Sequence, residues 1–423
     1  MPGTTLSGML LFLILSSTAV FSQSTKAGNE IGTLLRNKSY FEARDLYDAK
    51  KGSLTPIEKL RLGALTDNVF NRPEASNKKI EELRKQYANK LPDSIKFRLL
   101  EVEQSNFIRL GDYKAAADCI EELVSTYPQM LTRDAIADYH NTHNMWQSLA
   151  GIPRQEITIR EHTVLKLQRD VASLSNMKVS LDTTSINFIF DTGANISTVT
   201  ESTARRMNMQ LTDAGVEVNS ITGLKVQSKI AVCPEFNLGS IVVRNAIFLV
   251  FPDSALAVPQ LDYQINGIIG FPVIEGLKEV TITKSGEFIV PVVRGKVRES
   301  NMALDFLTPL IQLGDEVYTF DSGANSTMLY APYYAKHRKA ISRRYKEKEV
   351  SYGGAGGTIS RPAFQITWNP EISGKQLSIE DVTVFRESSL NNEDFFYGNI
   401  GQDVIQQFES MTLNFESMFI RFE

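Results

Sequence analysis

FIFDTGANIS (residues 188–197) places three large apolar residues, Phe188 to Phe190, directly before Asp191-Thr192-Gly193-Ala194. A carboxylate at the end of an apolar strand is costly to bury unless another group answers it. The stretch therefore asks for a partner elsewhere in the chain. One stands at 318–327, YTFDSGANST, where Asp321-Ser322-Gly323-Ala324-Asn325 repeats Asp191-Thr192-Gly193-Ala194-Asn195 nearly residue for residue.

A second pair of segments keeps the same step. NGIIGFPVIEGLKEVTI carries Gly267-Ile268-Ile269-Gly270, and YGNIGQDVIQQFESMTL carries Gly398-Asn399-Ile400-Gly401. The aspartates are 321 − 191 = 130 residues apart and the final glycines 401 − 270 = 131. Two motifs held in register over that distance imply two copies of one fold.

These residues resemble the retropepsin-like aspartic proteases, and their duplication resembles the two-lobed arrangement of pepsin in a single chain. The resemblance implies an all-β bilobal architecture with double-psi-like barrels, the first lobe over 163–298 and the second over 299–423. It implies Asp191 and Asp321 as a catalytic pair. Thr192 and Ser322 would be hydroxyls that bond across the lobes, and Gly270 and Gly401 glycines that pack behind the loops. Asn399 departs from the family, which has an apolar residue there. With the helical region described below, the chain also resembles exported aspartyl protease-like proteins of the Bacteroidetes.

The chemistry follows from the residue types. Two carboxylates ~3 Å apart cannot both ionise, so the pair holds one proton and titrates as a unit. The ionised member takes a proton from a water, and the protonated member donates to the peptide carbonyl. No metal or other cofactor is expected. Gly193 and Gly323 follow the hydroxyl residues because a Cβ would crowd the backbone against the pair. A peptide substrate also needs a cover. SYGGAGGTIS (351–360), with Tyr352, Gly353 and Gly354, reads as a glycine-rich hairpin tip, and NSITGLKVQ (219–227), with Gly223, is its equivalent 131 residues earlier.

Residues 23–162 read as helical. IEELRKQYANKL sets Ile80, Leu83, Tyr87 and Leu91 on one stripe, and Leu91-Pro92-Asp93-Ser94 breaks the helix and offers a cap to the next. SYFEARDLY (39–47) and DYKAAADCI (112–120) share Tyr and Ala positions, with small Ala43 and Ala116 suited to close helix crossing. This resembles tetratricopeptide-type repeats and suits either a docking surface for a protein partner or a domain that packs on its neighbour. Beyond 163, short strands are expected with turns at Ser175-Asn176 and Asp182-Thr183, and brief helices near 199–209 and 331–345.

The apolar run Met9–Leu15 followed by SSTAVFSQS predicts a signal peptide over 1–22, cleaved after Ser22, although its first residues hold no Lys or Arg. The run is shorter than the ~20 residues that span a bilayer, so stable membrane insertion is not expected. The chain is therefore expected to be exported, periplasmic or extracellular. The 45 basic and 49 acidic residues, net −4, argue against a nucleic-acid partner. The two cysteines, Cys119 and Cys233, fall in different patterns and are expected as separate core residues. His140 and His143 share a helix face without further ligands nearby, which favours a structural role. Two readings of the site stay open: an aspartic endopeptidase, or a non-catalytic peptide-binding or assembly protein on the same fold. A third possibility makes the helical region an inhibitory pro-region.

Overall fold

The computed structural model describes residues 24–171, 173–219, 225–258, 262–296, 300–354, 357–388 and 394–423. The expected signal peptide lies outside them, as does Gly223. Helices occupy the region from Lys26 to Ser148, and the remainder is rich in β-strands.

The helices begin and end where local chemistry satisfies their free backbone groups. Thr55 and Glu58 form a capping box ahead of Pro56–Val69, and Thr132 accepts from Ala135 N before Arg133–Ser148. Gly111 ends Asp93–Leu110 in the left-handed region at φ 71°. The N-cap of Asp93–Leu110 falls in the expected stretch, at Pro92, without a side-chain cap hydrogen bond, and Asp93 lies in the first turn. The stripe on Pro73–Tyr87 faces inward as expected, with Ile80, Leu83 and Leu91 in one cluster and Tyr87 against it. Ala43 and Ala116 are both fully buried.

Two β units follow, and their strand orders agree. The first runs Ser175–Leu181, Thr184–Phe190, Gly267–Ile269, Ser197–Thr200, Ile241–Phe251, Lys225–Leu238, Gln210–Asn219. The second runs Thr308–Leu313, Glu316–Phe320, Gly398–Ile400, Met328–Leu329, Ile379–Val384, Gly357–Trp368, Lys348–Gly354. The same two neighbours are parallel in each: Ile269 pairs with Phe190, and Ile400 with Phe320. The first path also closes on itself through Ser180 and Asn237. Phe188, Ile189 and Phe190 are all buried because a strand in such a closed layer is covered on both faces, so apolar residues run without alternation.

A further five-stranded sheet joins the two units. Glu279–Thr283 pairs with Ser410–Asn414, and Thr281 meets Thr412, its equivalent 131 residues later, hydroxyl to hydroxyl at 2.8 Å. The axis relating the units passes near this pair. Phe190 packs on Phe288 of the same sheet and Phe320 on Phe422, with ring centres 5.2 and 6.3 Å apart. The loops that leave Phe190 and Phe320 are thus anchored to one shared floor.

The helical region touches both units. Ile31, Phe41 and Leu62 share a core with Ala303, Leu310 and Phe396 of the second. Tyr113 and Trp146, stacked at 5.5 Å, join the core that includes the first. Tyr40 Oη donates to Asp305 Oδ1 at 2.9 Å, and Lys38 pairs with Asp305 Oδ2 at 2.7 Å. Cys119 and Cys233 are free and buried.

The turn expected at Ser175-Asn176 is misplaced. Ser175–Leu181 is a strand, and the reversal comes earlier, where Asp170 accepts from Leu174 N and Asn176 Nδ2 while Ser173 takes φ 64°. Asp182 does turn the chain, at φ 50°. Helices form at Glu201–Arg206 and Ala331–Arg344, within the expected stretches. The short strand Glu156–Thr158 pairs with Ile241–Phe251, so sheet pairing begins before residue 163.

Candidate active site

Asp191 and Asp321 stand at the first position beyond equivalent strands. Asp191 N donates to Ile269 O at 3.1 Å and Asp321 N to Ile400 O at 3.0 Å, which fixes each residue against the apolar-apolar-Gly segment of its own unit. Each carboxyl then folds back on its own loop. Asp191 Oδ1 accepts from Gly193 N at 2.8 Å and Ala194 N at 3.2 Å. Asp321 Oδ1 accepts from Gly323 N at 2.8 Å and Ala324 N at 3.1 Å. One oxygen of each carboxyl is thereby held by backbone amides, and each carboxyl lies against the glycine of the opposite loop, which brings the two side chains close together.

Four hydrogen bonds lock the loops together. Thr192 N donates to Ser322 Oγ at 3.1 Å, and Ser322 N to Thr192 Oγ1 at 2.9 Å. Thr192 Oγ1 donates across to Phe320 O, and Ser322 Oγ to Phe190 O, both at 3.1 Å. Both residues are buried. Each hydroxyl accepts from one neighbour and donates to another, a dual use that only a hydroxyl supplies without adding charge.

The glycines are required by space. A Cβ on Gly193 would stand 2.5 Å from Asp321 Cγ, and one on Gly323 would collide as severely with Asp191 Cγ. Behind the loops, a Cβ on Gly270 would lie 2.6 Å from Ala194 O, and one on Gly401 2.8 Å from Ser326 C. Phe271 N and Gln402 N donate to Ala194 O and Ala324 O, both at 2.8 Å.

Burial pushes the Asp191 carboxyl well above the ordinary carboxylate range. The neighbouring charge of Asp321 and the hydrogen bond to it raise it further, against the opposing pull of the Gly193 and Ala194 amides. That direction favours the protonated form of Asp191. Among the described residues no group of three or more His, Cys, Asp or Glu is placed to hold a metal ion.

Some supporting residues were not anticipated from the sequence. Ser197 Oγ accepts from Gly270 N at 3.0 Å, and Thr327 Oγ1 from Gly401 N at 3.1 Å. These two hydroxyls are themselves one repeat apart, so extending the comparison beyond Asn195 and Asn325 would have found them. Gln402 Nε2 donates to Ser322 O at 2.8 Å, an interaction with no counterpart residue type at Phe271. Asn399, noted only as a departure, is buried beside the pair and donates to Asp321 Oδ2 at 3.3 Å.

Of the expected covers, the second hairpin is described. Lys348–Gly354 pairs with Gly357–Trp368, with Gly353 and Gly354 at its end. The Tyr352 ring lies 5.5 Å from Phe385, and its hydroxyl accepts from Arg361 Nη1 at 3.4 Å, so it packs on its own unit. In the first unit the strands Gln210–Asn219 and Lys225–Leu238 pair, and Gly223 falls between them outside the described residues.

Residues 177–273 match the family of aspartyl proteases. The match ends before the second unit, whose strand order and Asp-Ser-Gly loop nonetheless repeat those of the first. A comparison with curated proteins finds no match. Among solved structures the chain is similar to basic 7S globulin from soybean, at 12% identity over 62% of this chain and 94% of that one, with a TM-score of 0.36. It is also similar to a retropepsin-like aspartic protease from Rickettsia conorii, at 16% identity over 32% of this chain and 91% of that one, with a TM-score of 0.21. At such scores these likenesses bear no weight on the chemistry.

Proposed function

We propose that the chain is an exported aspartic endopeptidase in which Asp191 and Asp321 activate a water against a peptide bond. The observation that supports this reading most directly is the approach of two carboxyls from equivalent loops, each against the glycine of the other, where burial and the neighbouring charge push Asp191 above the ordinary carboxylate range. The ionised carboxyl takes a proton from the water as its oxygen attacks the carbonyl carbon. The protonated one gives its proton to the carbonyl oxygen, forming a tetrahedral diol. Collapse of the diol breaks the C–N bond and returns a proton to the departing amine. The four cross-loop hydrogen bonds keep the carboxyls in place without external charge.

In the same reading, 163–298 and 299–423 are two lobes with double-psi-like barrels, and the hairpins flank the substrate. The helices form tetratricopeptide-like pairs that dock a protein partner, and export follows cleavage after Ser22. The test is hydrolysis of a mixed peptide library across pH 3 to 8 by the full chain, beside Asp191→Asn and Asp321→Asn. Cleavage lost in both variants supports the reading. Peptide binding without turnover by the unsubstituted chain, or turnover that survives either substitution, overturns it.

A further inference from the structure

The two halves of the site share their strand order and loop hydrogen bonds and differ in a few buried side chains, one of which touches the pair. In the first unit the residue before Ile269 is Ile268; in the second, the residue before Ile400 is Asn399, which is 5% exposed. Thr319 Oγ1 donates to Asn399 Oδ1 at 2.7 Å, leaving the amide NH₂ to face the pair, where Nδ2 reaches Asp321 Oδ2 at 3.3 Å. Among the described residues, Asp321 thus receives three N–H donors, from Gly323, Ala324 and Asn399, whereas Asp191 receives two, from Gly193 and Ala194. Hydrogen bonds donated to a carboxylate favour its charged form.

We propose that Asn399 is a positioning residue that breaks the symmetry of the pair, making Asp321 the carboxylate that takes the proton from water and Asp191 the carboxylic acid that protonates the substrate. The assignment rests on the protease reading above for its chemistry, but the asymmetry belongs to the folded chain whether or not it cleaves. Around Asp321 the ionisable group in direct contact is Asp191. Farther out, Arg169 is engaged with Gln402 Oε1 at 3.2 Å, and Asp403 accepts from Thr327 N and Oγ1.

The amide orientation is coupled to the proton. With Oδ1 bound by Thr319, only Nδ2 can face Asp321, which suits an acceptor. Were Asp321 protonated at Oδ2, the amide would keep only a weaker bond to it, without charge assistance, or would turn. Nδ2 would then donate to Thr319 Oγ1, whose proton would go to Gly398 O, already 3.2 Å away. Asn399 therefore favours the ionised form of Asp321 in both the singly protonated pair and the fully ionised pair. Its removal should raise the first ionisation of the pair and leave the second in place.

The test is Asn399→Ile, which gives the second unit the Gly-Ile-Ile-Gly sequence that the first unit already folds with. In the pH profile of kcat/KM for peptide hydrolysis, the acid limb should move up by about one pH unit while the alkaline limb stays. Thr319→Val, which frees the amide to turn, should move the same limb in the same direction. An acid limb that stays put in Asn399→Ile, or two limbs that move together, overturns the assignment. A titration of ¹³C-labelled aspartate side chains by NMR, with the Asp191→Asn and Asp321→Asn chains assigning the signals, reads the asymmetry without turnover. Asp321 ionising first in the unsubstituted chain, and the order weakening in Asn399→Ile, supports it; Asp191 ionising first overturns it. A chain that titrates in the expected order yet cleaves nothing upholds the asymmetry and refutes only the endopeptidase reading.

Discussion

Thr192→Val tests whether the two β units are held at the site by their hydroxyls. Valine reproduces the shape of threonine, so the change removes an oxygen and little else. Two hydrogen bonds go with it: Ser322 N loses its acceptor at 2.9 Å, and Phe320 O loses its donor at 3.1 Å. Both groups are enclosed, with Ser322 1% and Phe320 0% exposed, so water does not replace the lost partner. An orphaned buried polar group costs ~1–3 kcal/mol, so the pair should cost about 2–6 kcal/mol. That is a large share of the ~5–15 kcal/mol that keeps a domain folded. The assay is urea unfolding of the full chain, read as the shift in midpoint at constant slope, with Thr192→Ser as the variant that keeps the oxygen and should stay near wild type. Ser322→Ala removes the mirror pair of bonds, and the double variant should cost less than the two singles together, by about 1 kcal/mol. Once one hydroxyl is gone the loops move apart, and the other has already lost its geometry. A Thr192→Val chain within ~0.5 kcal/mol of wild type would show that the loops are positioned by the surrounding core and not by these bonds.

Three further outcomes follow from particular contacts. Gly193→Ala should leave the circular dichroism spectrum intact yet lower kcat/KM by at least ~100-fold, because its Cβ would stand 2.5 Å from Asp321 Cγ and must displace that carboxyl; near-normal turnover would refute the steric reading. Burial pushes Glu103 up to about 7 despite its ion pair with Arg84, so the folded chain holds a proton that the unfolded chain releases near pH 4.5. Its contribution to stability is fully present below pH 4.5 and falls as pH rises toward 7, by up to ~3 kcal/mol. Glu103→Gln should accordingly match wild type in Tm near pH 4 and exceed it at pH 8, and a lower Tm at pH 8 would contradict the sign. Asn141 exchanges both hydrogen bonds with the Glu217 backbone, at 2.8 and 2.9 Å, along the edge strand of the first hairpin. Asn141→Ala should speed amide exchange at Glu217 about tenfold, and unchanged exchange would mean that the helix only lies alongside.

What could be read from the residues and what could not divide along the range of the interactions. The repeated Asp-hydroxyl-Gly-Ala-Asn loop was legible because five residues and their spacing recur, and the same spacing brought in Gly270 and Gly401. The helical stripe at Ile80 and Leu83 was legible because a helix makes neighbours of residues three and four apart. The turn before Ser175 was not, because Asp170 organises it through Leu174 and Asn176, and an aspartate in a polar stretch has many equally ordinary uses. Asn141 is polar, on a helix, and looks like a solvated residue until the fold lays an unpaired strand edge against it.

Asn399 is the most instructive of these positions, because in the sequence it is visible only as a mismatch with Ile268. Its meaning depends on register: only when Gly398–Ile400 pairs in parallel with Glu316–Phe320, setting Asn399 opposite Thr319, does the amide have a partner for its oxygen and a carboxylate for its nitrogen. Duplication by itself supplies two equal carboxyls, and equal carboxyls divide one proton evenly between them. Acid and base roles need the environments pushed apart. The two halves share their strand order and the hydroxyl that holds each packing glycine. At the site they differ in side chains such as Asn399 and Gln402, and those side chains are where a division of labour between Asp191 and Asp321 has to be sought.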